Sequence, residues 1–204
     1  MENMVRKNIF VIGAPRSGKT TLAKRIAKEM NYNLISVDDL VSGFKNMTNF
    51  DVYKSGDTDQ TARNIEPFME KLLEELSEGT TYYNGFSTVI EGTYVDFERL
   101  IPFLRNDNLI RKYYIIGLTY NHITEEELYN NIKKYDTEDD WTYWVDDEDL
   151  KGDVRYFIDR NSYFAKKFKE YKIDSFDTSL DRTKTLDEVM EVLKDKSLWE
   201  EKHK

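Results

Sequence analysis

Residues 13–20, GAPRSGKT, combine residue types that can hold a phosphate group. The stretch matches G-x-x-x-x-G-K-[ST] at every fixed position, and it lies between a short apolar run and a helical pattern. Backbone amides in such a loop surround an anion, and the following helix adds its dipole. Lys19 can neutralise β- and γ-phosphates, and the Thr20 hydroxyl can ligate Mg²⁺. The predicted phosphate-binding residues are Gly13, Ala14, Pro15, Arg16, Ser17, Gly18, Lys19, Thr20 and Thr21.

Carboxylates follow two other apolar runs. Asp38 and Asp39 come directly after residues 34–37, and Glu91 ends residues 87–91. If both runs are parallel strands, their carboxyl ends lie at the edge of the sheet where ligands bind, so the aspartates should face the γ-phosphate. The alternative for Asp38 or Asp39 is a helix N-cap, and for Glu91 an exposed carboxylate at a strand end.

The elements that would position these residues alternate along the chain. Candidate strands are residues 8–12, 34–37, 87–91, 112–118 and 172–176, each short, apolar and bounded by polar residues or glycine. Helical periodicity marks residues 22–30, 65–76 and 186–193, with Gly79 as the expected C-cap of the second. This alternation predicts an α/β fold with a parallel sheet in one domain over residues 1–204. Two long segments, 40–86 and 121–171, are expected to cover a site.

Composition narrows the classes of partner. The 204 residues carry 30 basic and 39 acidic side chains, a net charge of −9, which disfavours nucleic acid and anionic membranes as partners. The absence of cysteine excludes disulfides and thiol chemistry. No run approaches the roughly 20 apolar residues of a membrane span, so we predict a soluble cytoplasmic protein. His122 and His203 are isolated and indicate neither a metal site nor a catalytic triad.

The loop at residues 13–20, placed after the first strand, resembles that of the P-loop NTPase superfamily. The five strands and two covering segments are similar to its small-molecule and nucleoside-monophosphate kinase branch, which includes shikimate-, gluconate- and adenylate-kinase-like enzymes. The resemblance implies three α/β/α layers around a five-stranded parallel sheet of order 2-3-1-4-5. It also implies ATP and Mg²⁺ as cofactors, a small-molecule acceptor, an acceptor-binding segment at 40–86 and a lid at 121–171.

The resemblance gives the polar residues expected roles. Lys19 and Asp38 become catalytic candidates, because an aspartate at this position accepts the acceptor's proton or helps to hold Mg²⁺. Thr20, Asp38 and Glu91 become metal ligands, with glutamate in place of the commoner aspartate of this position. Asp39 becomes a candidate contact to the substrate.

The same resemblance directs attention to three arginines. Arg63, in the acceptor-binding segment, could grip an anionic group of the substrate. Arg155 and Arg160, in the lid, could neutralise the transferring phosphate, although a spacing of five does not place them on one helical face. Solvent exposure is the alternative for each. The loop that contains residues 174–179 is expected to approach the adenine.

Two other functional classes remain open from the sequence. A nucleotide-binding regulatory module, or a P-loop ATPase without a small acceptor, would share the phosphate loop. A GTPase is disfavoured, because the N/T-K-x-D motif is missing after the fourth strand. A kinase with a macromolecular acceptor, such as a polynucleotide end, is disfavoured by the net charge of −9. The sequence does not identify the acceptor or the oligomeric state.

Overall fold

The computed structural model of the protein describes residues 4–47, 49–78, 87–106, 108–138, 140–195 and 199–201. The strands in these ranges are β1 (Met4–Arg6), β2 (Asn8–Gly13), β3 (Asn33–Ser36), β4 (Thr88–Gly92), β5 (Tyr113–Thr119), β6 (Asp174–Asp177) and β7 (Trp199–Glu201). Five of them form a parallel sheet in the order β3–β4–β2–β5–β6. Counted along the chain, this order is 2-3-1-4-5, so the predicted α/β class and strand order are confirmed.

Seven α-helices occur in the same described ranges. They are α1 (Lys19–Met30), α2 (Val37–Phe44), α3 (Thr58–Ser77), α4 (Phe97–Asn106), α5 (Glu125–Tyr135), α6 (Asp147–Tyr171) and α7 (Arg182–Leu193). Each strand of the sheet is therefore followed by helical chain before the next parallel strand, as parallel pairing requires.

The two faces of the sheet are covered by different helices because successive side chains of a strand point to opposite sides. In β2, Ile9 and Val11 belong to a core cluster shared with α1 and α7. The alternate residues, Phe10 and Ile12, belong to a larger cluster shared with α3, α4 and α6. All six residues of β2 are buried, so this strand lies at the centre of a three-layer α/β/α structure.

All five strands of the sheet differ from their predicted ranges by one or two residues, since they span 8–13, 33–36, 88–92, 113–119 and 174–177, and two of these differences involve a neighbouring helix. The second strand ends at Ser36, and Val37 begins α2, so the prediction of Val37 as a strand residue is wrong. Ser36, rather than either aspartate, is the N-cap, and its Oγ accepts a hydrogen bond from the Asp39 amide at 3.3 Å. The last strand of the sheet begins at Asp174, because Lys172 ends α6 in a left-handed conformation (φ 53°). The predicted cap Gly79 lies outside the described residues.

The sequence patterns did not reveal the small second sheet, in which β1 pairs antiparallel with β7. The lid segment consists of α5, a 3-10 turn at Trp141–Trp144 and α6. The Trp141 and Trp144 side chains are 57 % and 70 % exposed, and the Trp141 ring packs edge-on against Phe157 at a centroid distance of 6.0 Å. Among the helices of the described ranges, none is both long and apolar enough to cross a bilayer.

Candidate functional site

The loop at residues 13–20 joins the buried strand β2 to helix α1, as predicted. A Cβ added to Gly13 would lie 2.5 Å from the Leu118 carbonyl oxygen, so only glycine fits beside β5 at this point. Gly18, the N-cap of α1, has φ 95°, a conformation that side chains rarely adopt. Each glycine of the motif is therefore required for a different physical reason. Gly13 allows the close approach of β5, and Gly18 allows the backbone conformation at the start of α1.

Hydroxyl groups from three neighbouring segments fix the backbone of this loop. The Thr93 hydroxyl, just after β4, donates to the Gly13 carbonyl at 3.1 Å. The Tyr120 hydroxyl, just after β5, lies 2.9 Å from the Pro15 carbonyl oxygen. The Thr178 hydroxyl, just after β6, lies 3.2 Å from the Ser17 carbonyl oxygen. Sequence reasoning did not identify Thr93 or Tyr120, and it included Thr178 only as part of the stretch 174–179 that was expected to approach the adenine. Positions directly after strands are the signal that could have found all three.

Lys19 lies inside the loop, only 5 % exposed, and its Nζ donates to the Ala14 carbonyl at 2.9 Å. Burial lowers the pKa of Lys19, the carboxylates of Asp38 and Glu91 act to raise it, and Arg16 acts to lower it. The ammonium therefore lies within electrostatic range of both predicted carboxylates. A cation confined in this way suits a ligand that brings its own negative charge.

Two carboxylates lie at the carboxyl edge of the sheet, where the sequence predicted them. Glu91 is 2 % exposed, and its Oε2 accepts a hydrogen bond from the Thr20 hydroxyl at 3.3 Å. Burial raises the pKa of Glu91, which Lys19 acts to lower. Asp38, in the first turn of α2, accepts a hydrogen bond from the Thr93 amide at 3.3 Å. The structure thus brings Lys19, Thr20, Asp38 and Glu91 together.

These side chains fit a magnesium ion. Mg²⁺ keeps several water molecules and uses one or two carboxylates together with phosphate oxygens, so a hydroxyl and two carboxylates are a suitable donor set. The Thr20 hydroxyl already lies beside the Glu91 carboxylate. Within the described part of the chain there is no cluster of three or more acidic or histidine ligands, which would indicate an ion held by protein alone.

The two residues predicted to contact the substrate are exposed. Asp39 lies in the first turn of α2, and its side chain is accessible. Arg63 lies on the outer face of α3, where its Nη2 donates to Gln60 Oε1 at 3.2 Å. Within the part of the chain that the structure describes, neither residue forms a hydrogen bond or an ion pair with Lys19, Thr20, Asp38 or Glu91.

One tyrosine, Tyr94, lies near Asp38, and two further tyrosines lie near Tyr94. Burial raises the pKa of Tyr94 to about 12, and the nearby Asp38, Tyr53 and Tyr156 act in the same direction. The Tyr156 hydroxyl, on α6, hydrogen bonds to the Thr58 hydroxyl at the start of α3. A tyrosine from each covering segment, Tyr53 and Tyr156, therefore lies within electrostatic range of Tyr94, which is the tyrosine near the Asp38 carboxylate.

The two lid arginines point in different directions. The Arg155 side chain is 70 % exposed, and its Nε lies 3.6 Å from Glu125 Oε2. The Arg160 side chain is only 10 % exposed, and its Nη1 donates to Asp59 Oδ1 at 2.8 Å. The Arg160 guanidinium also lies over the Tyr163 ring, 4.5 Å from its centroid. Arg160 therefore faces α3, and Arg155 faces solvent.

The arginine of the loop itself contacts the lid. Arg16 adopts φ 67°, and its Nη1 donates to Asp140 Oδ1 at 3.0 Å. Its Nη2 forms an ion pair with Asp136, whose side chain is 2 % exposed. The Asp136 carboxylate also accepts a hydrogen bond from the Thr142 hydroxyl. The phosphate loop and the lid are thus joined by an arginine and two aspartates.

A cleft of about 450 Å³ opens beside Arg16. It lies between α5 and the loop after β6, and part of that loop is the stretch that the resemblance directed to the adenine. Its walls combine apolar and aromatic side chains with a few polar groups, which is typical of a small-molecule site. The lining residues include Tyr120, Leu128, Asn131, Tyr135, Leu180 and Arg182.

Comparisons with known proteins agree with this geometry. Residues 9–113 match the family model described as "AAA domain". That range contains the phosphate loop, Asp38 and Glu91, and three strands of the parallel sheet, β2 (from its second residue), β3 and β4, and it ends at the first residue of β5. No curated protein matched the sequence.

Solved structures of kinases share the fold. The shikimate kinase of Bacteroides thetaiotaomicron is 18 % identical, with a TM-score of 0.55 over 94 % of this chain and 99 % of that one. The shikimate kinase of Acinetobacter baumannii, solved with shikimate, is 12 % identical, with a TM-score of 0.53 over 92 % and 93 %. A gluconokinase from Sinorhizobium meliloti 1021 is 14 % identical, with a TM-score of 0.52 over 92 % and 91 %. At such identities the likeness concerns the fold. The family match shows that the chain belongs to the AAA domain family of P-loop NTPases, and its fold is shared with small-molecule kinases.

Proposed function

We propose that the protein is an ATP- and Mg²⁺-dependent phosphotransferase that moves the γ-phosphoryl group to a small acceptor bearing a hydroxyl or a phosphate. One observation carries the proposal, namely the convergence of Lys19, Thr20, Asp38 and Glu91 at the carboxyl edge of the sheet. A loop that only bound nucleotide would need the lysine and the hydroxyl, but a second, separate carboxylate beside them suits a transfer reaction.

In this proposal the loop at residues 13–20 holds the phosphates through its backbone amides, and Lys19 neutralises the β- and γ-phosphates. Thr20, Asp38 and Glu91 would hold Mg²⁺. When bound, that ion would neutralise charge that develops on the phosphate oxygens. The nucleoside would occupy the cleft beside Arg16, whose volume of about 450 Å³ accommodates a purine and its ribose.

Asp38 would act on the acceptor. The acceptor oxygen forms a new bond to the γ-phosphorus, and the bond from that phosphorus to the bridging oxygen breaks, with its electron pair leaving on ADP. Where the acceptor is a hydroxyl, its proton passes to the Asp38 carboxylate. The Thr93 amide, which donates to Asp38 Oδ1, holds this carboxylate in place. Alignment and charge neutralisation supply most of the acceleration in such reactions.

The acceptor would enter between the two covering segments. Tyr94 near Asp38, with Tyr53 and Tyr156 near Tyr94, offers hydroxyl groups and ring faces that suit an acceptor with several polar groups. Asp39 and Arg63 remain proposed contacts to the outer end of a larger acceptor. We further propose that residues 1–204 act as one domain, with an acceptor-binding segment at 40–86 and a lid at 121–171. The absence of cysteine is compatible with a cytoplasmic location, which the proposal includes.

The test is a screen of acceptors with γ-labelled ATP. Wild-type protein should label one class of small metabolite in the presence of Mg²⁺. Lys19→Ala should abolish nucleotide binding, and Asp38→Asn should keep binding but lower kcat by about 10²-fold or more. Asp39→Asn, which removes the neighbouring exposed carboxylate, is the matched control and should keep the larger part of kcat.

Two outcomes would contradict the proposal. Equal transfer by Asp38→Asn and wild type would remove Asp38 from the mechanism. Nucleotide binding without labelling of any acceptor would favour a regulatory module or an ATPase without a small acceptor.

A further inference from the structure

The lid carries two arginines, Arg155 and Arg160, and neither contacts the phosphate loop. Arg155 pairs with Glu125 at the surface, and Arg160 pairs with Asp59 on α3. In the segment from 121 to 171 the sequence contains no further arginine. Transfer of a phosphoryl group benefits from a guanidinium beside the transferring oxygens. Because neither lid arginine contacts the phosphate loop, another arginine of the chain is the better candidate to supply this guanidinium.

Arg16 lies in the phosphate loop itself, three residues before Lys19. Its left-handed backbone (φ 67°) is a conformation that is uncommon for residues other than glycine, asparagine and aspartate. Its positive charge acts on Lys19, whose pKa it helps to lower. Two cations of the same loop thus lie within electrostatic range of each other, and a ligand with several negative charges would relieve their repulsion.

The lid presents carboxylates to this arginine. Asp136 and Asp140 bind different nitrogens of the Arg16 guanidinium, Nη2 and Nη1. The Asp136 side chain is almost fully buried, and its second oxygen is used by the Thr142 hydroxyl. A buried carboxylate with both oxygens occupied fixes the direction of the guanidinium plane. The guanidinium has five N–H groups, so these two contacts leave three that can donate to a phosphoryl oxygen.

We propose that Arg16, from within the P-loop, is the arginine that stabilises the transferring phosphoryl group, and that Asp136 and Asp140 of the lid position its guanidinium. The inference rests on the proposed phosphoryl transfer. In the step described above, Arg16 donates to oxygens of the γ-phosphoryl group while the bond to ADP breaks and the bond to the acceptor forms. In this proposal the arginine lies in the phosphate loop, and the carboxylates that position it lie in the lid.

Arg182 provides a second guanidinium nearby and a useful comparison. Its Nη2 donates to the Arg16 carbonyl at 3.4 Å, and both arginines line the cleft assigned to the nucleoside, but only Arg16 of the two acts on the pKa of Lys19. Arg182 should therefore contribute to binding of the nucleotide in every state of the reaction. Arg16 should contribute mainly when the phosphoryl group is in transfer.

The experiment compares binding of ADP with binding of ADP plus aluminium fluoride, which imitates the phosphoryl group in transfer, and needs no acceptor. Calorimetry with Mg²⁺ gives the two dissociation constants, and their ratio measures the stabilisation specific to the transferring group. Wild-type protein should show a ratio of about 10² or more. Arg16→Lys keeps the positive charge but loses the planar set of guanidinium N–H donors. Arg16→Asn removes the charge, and asparagine tolerates the left-handed backbone conformation. Both should lower the ratio at least about 10-fold and leave ADP affinity within about 3-fold.

The positioning residues and controls complete the design. Asp136→Asn and the more exposed Asp140→Asn should lower the ratio by roughly 3- to 10-fold, less than loss of the arginine. Asp147→Asn, which removes an exposed lid carboxylate paired with Lys133, should not change it. Arg182→Gln should weaken binding of ADP with and without aluminium fluoride by the same factor.

Different results overturn different statements. If both Arg16 variants keep the wild-type ratio, or if Arg155→Gln or Arg160→Lys abolishes it, the assignment of Arg16 is wrong and the proposed transfer stands. If wild-type protein binds ADP with no gain from aluminium fluoride, the assignment is also wrong. If wild-type protein binds neither form, the proposed function itself fails.

Discussion

Glu66, on α3, is a carboxyl group with no exposed surface. Burial, together with the nearby carboxylates of Asp96 and Glu70, raises the pKa of Glu66 to about 8, against the opposing effect of Arg99. The folded protein therefore keeps this proton at neutral pH, whereas the unfolded chain releases it near its ordinary value of 4.5. Because the folded state binds more protons between these values, the free energy of unfolding falls as the pH rises from 4.5 to about 8.

Glu66→Gln should remove this dependence, since glutamine has a similar shape and carries no proton to lose. Near neutral pH the variant should unfold with a free energy on the order of 3 kcal/mol higher than the wild type. Below pH 4.5 the two should have equal stability. Urea denaturation across the pH range measures the difference.

Glu74→Gln is a suitable control for the charge of this region, because Glu74 lies on the same helix in an exposed pair with Lys71 and does not act on the pKa of Glu66. It should change stability little at any pH. A Glu66→Gln variant whose advantage grew toward acid pH would contradict the assignment of a raised pKa.

At the scale of elements, α3 of segment 40–86 contacts α6 of segment 121–171. The Thr58 and Tyr156 hydroxyls hydrogen bond to each other, and Asp59 pairs with the nearly buried Arg160. Removal of the aspartate charge leaves a guanidinium with little access to water and without its ionic partner. The contact between the two covering segments should therefore depend on Asp59.

Asp59→Asn should lower the free energy of unfolding by about 1–2 kcal/mol, because the half-exposed aspartate is only partly shielded from water. The matched control is Glu125→Gln, which removes the partner of the exposed Arg155 and should cost less than about 0.5 kcal/mol. Chemical denaturation of the three proteins provides the measurement. Equal losses in both variants would show that the contact between α3 and α6 is as weak as a surface pair.

Local patterns predicted the elements well because the relevant signals lie within a few residues. The alternating apolar runs located all five strands of the sheet to within two residues. The pairing of β1 with β7 was not predicted, because it joins chain segments nearly 200 residues apart and neither segment alone carries a signal for it. The positions of the two lid arginines on helix α6 could have shown which of them is buried. Arg160 lies on the same helical face as the buried Phe157 and Phe164, and Arg155 does not.

The candidate site likewise has some features that local sequence predicts and others that depend on contacts between distant parts of the chain. The phosphate loop was predictable because its chemistry requires a fixed spacing within eight residues, and Asp38 and Glu91 followed from the edge of a parallel sheet. The contact of Arg16 with Asp136 was not predictable, because it spans 120 positions and depends on how the lid packs against the loop. For the same reason, the sequence could not show which residues of segment 40–86 would contact the proposed acceptor.

At the scale of the whole molecule, nucleotide binding should stabilise the fold, because the loop, the lid and the segment after β6 all meet at the site. ATP with Mg²⁺ at about 100 times its dissociation constant should add about 2.7 kcal/mol to the free energy of unfolding. For a chain of this size, that gain raises Tm by roughly 5–10 °C. Thermal unfolding with increasing ATP measures the shift.

Lys19→Ala should lose the shift, because the buried ammonium is the principal counter-charge of the phosphates. Lys24→Ala, on the same helix but outside the loop, should keep it. An unchanged shift in Lys19→Ala would mean that ATP binds elsewhere.

The 3-10 turn of the lid gives the molecule a natural optical reporter. Two of the three tryptophans, Trp141 and Trp144, lie in that turn, directly after Asp140, one of the two partners of Arg16. Both indoles are largely hydrated, so their emission responds to any change in how the turn meets the loop. Intrinsic emission spectra therefore follow the lid without an attached dye, and the remaining tryptophan, Trp199 in β7, can be replaced to leave only the signal of the lid.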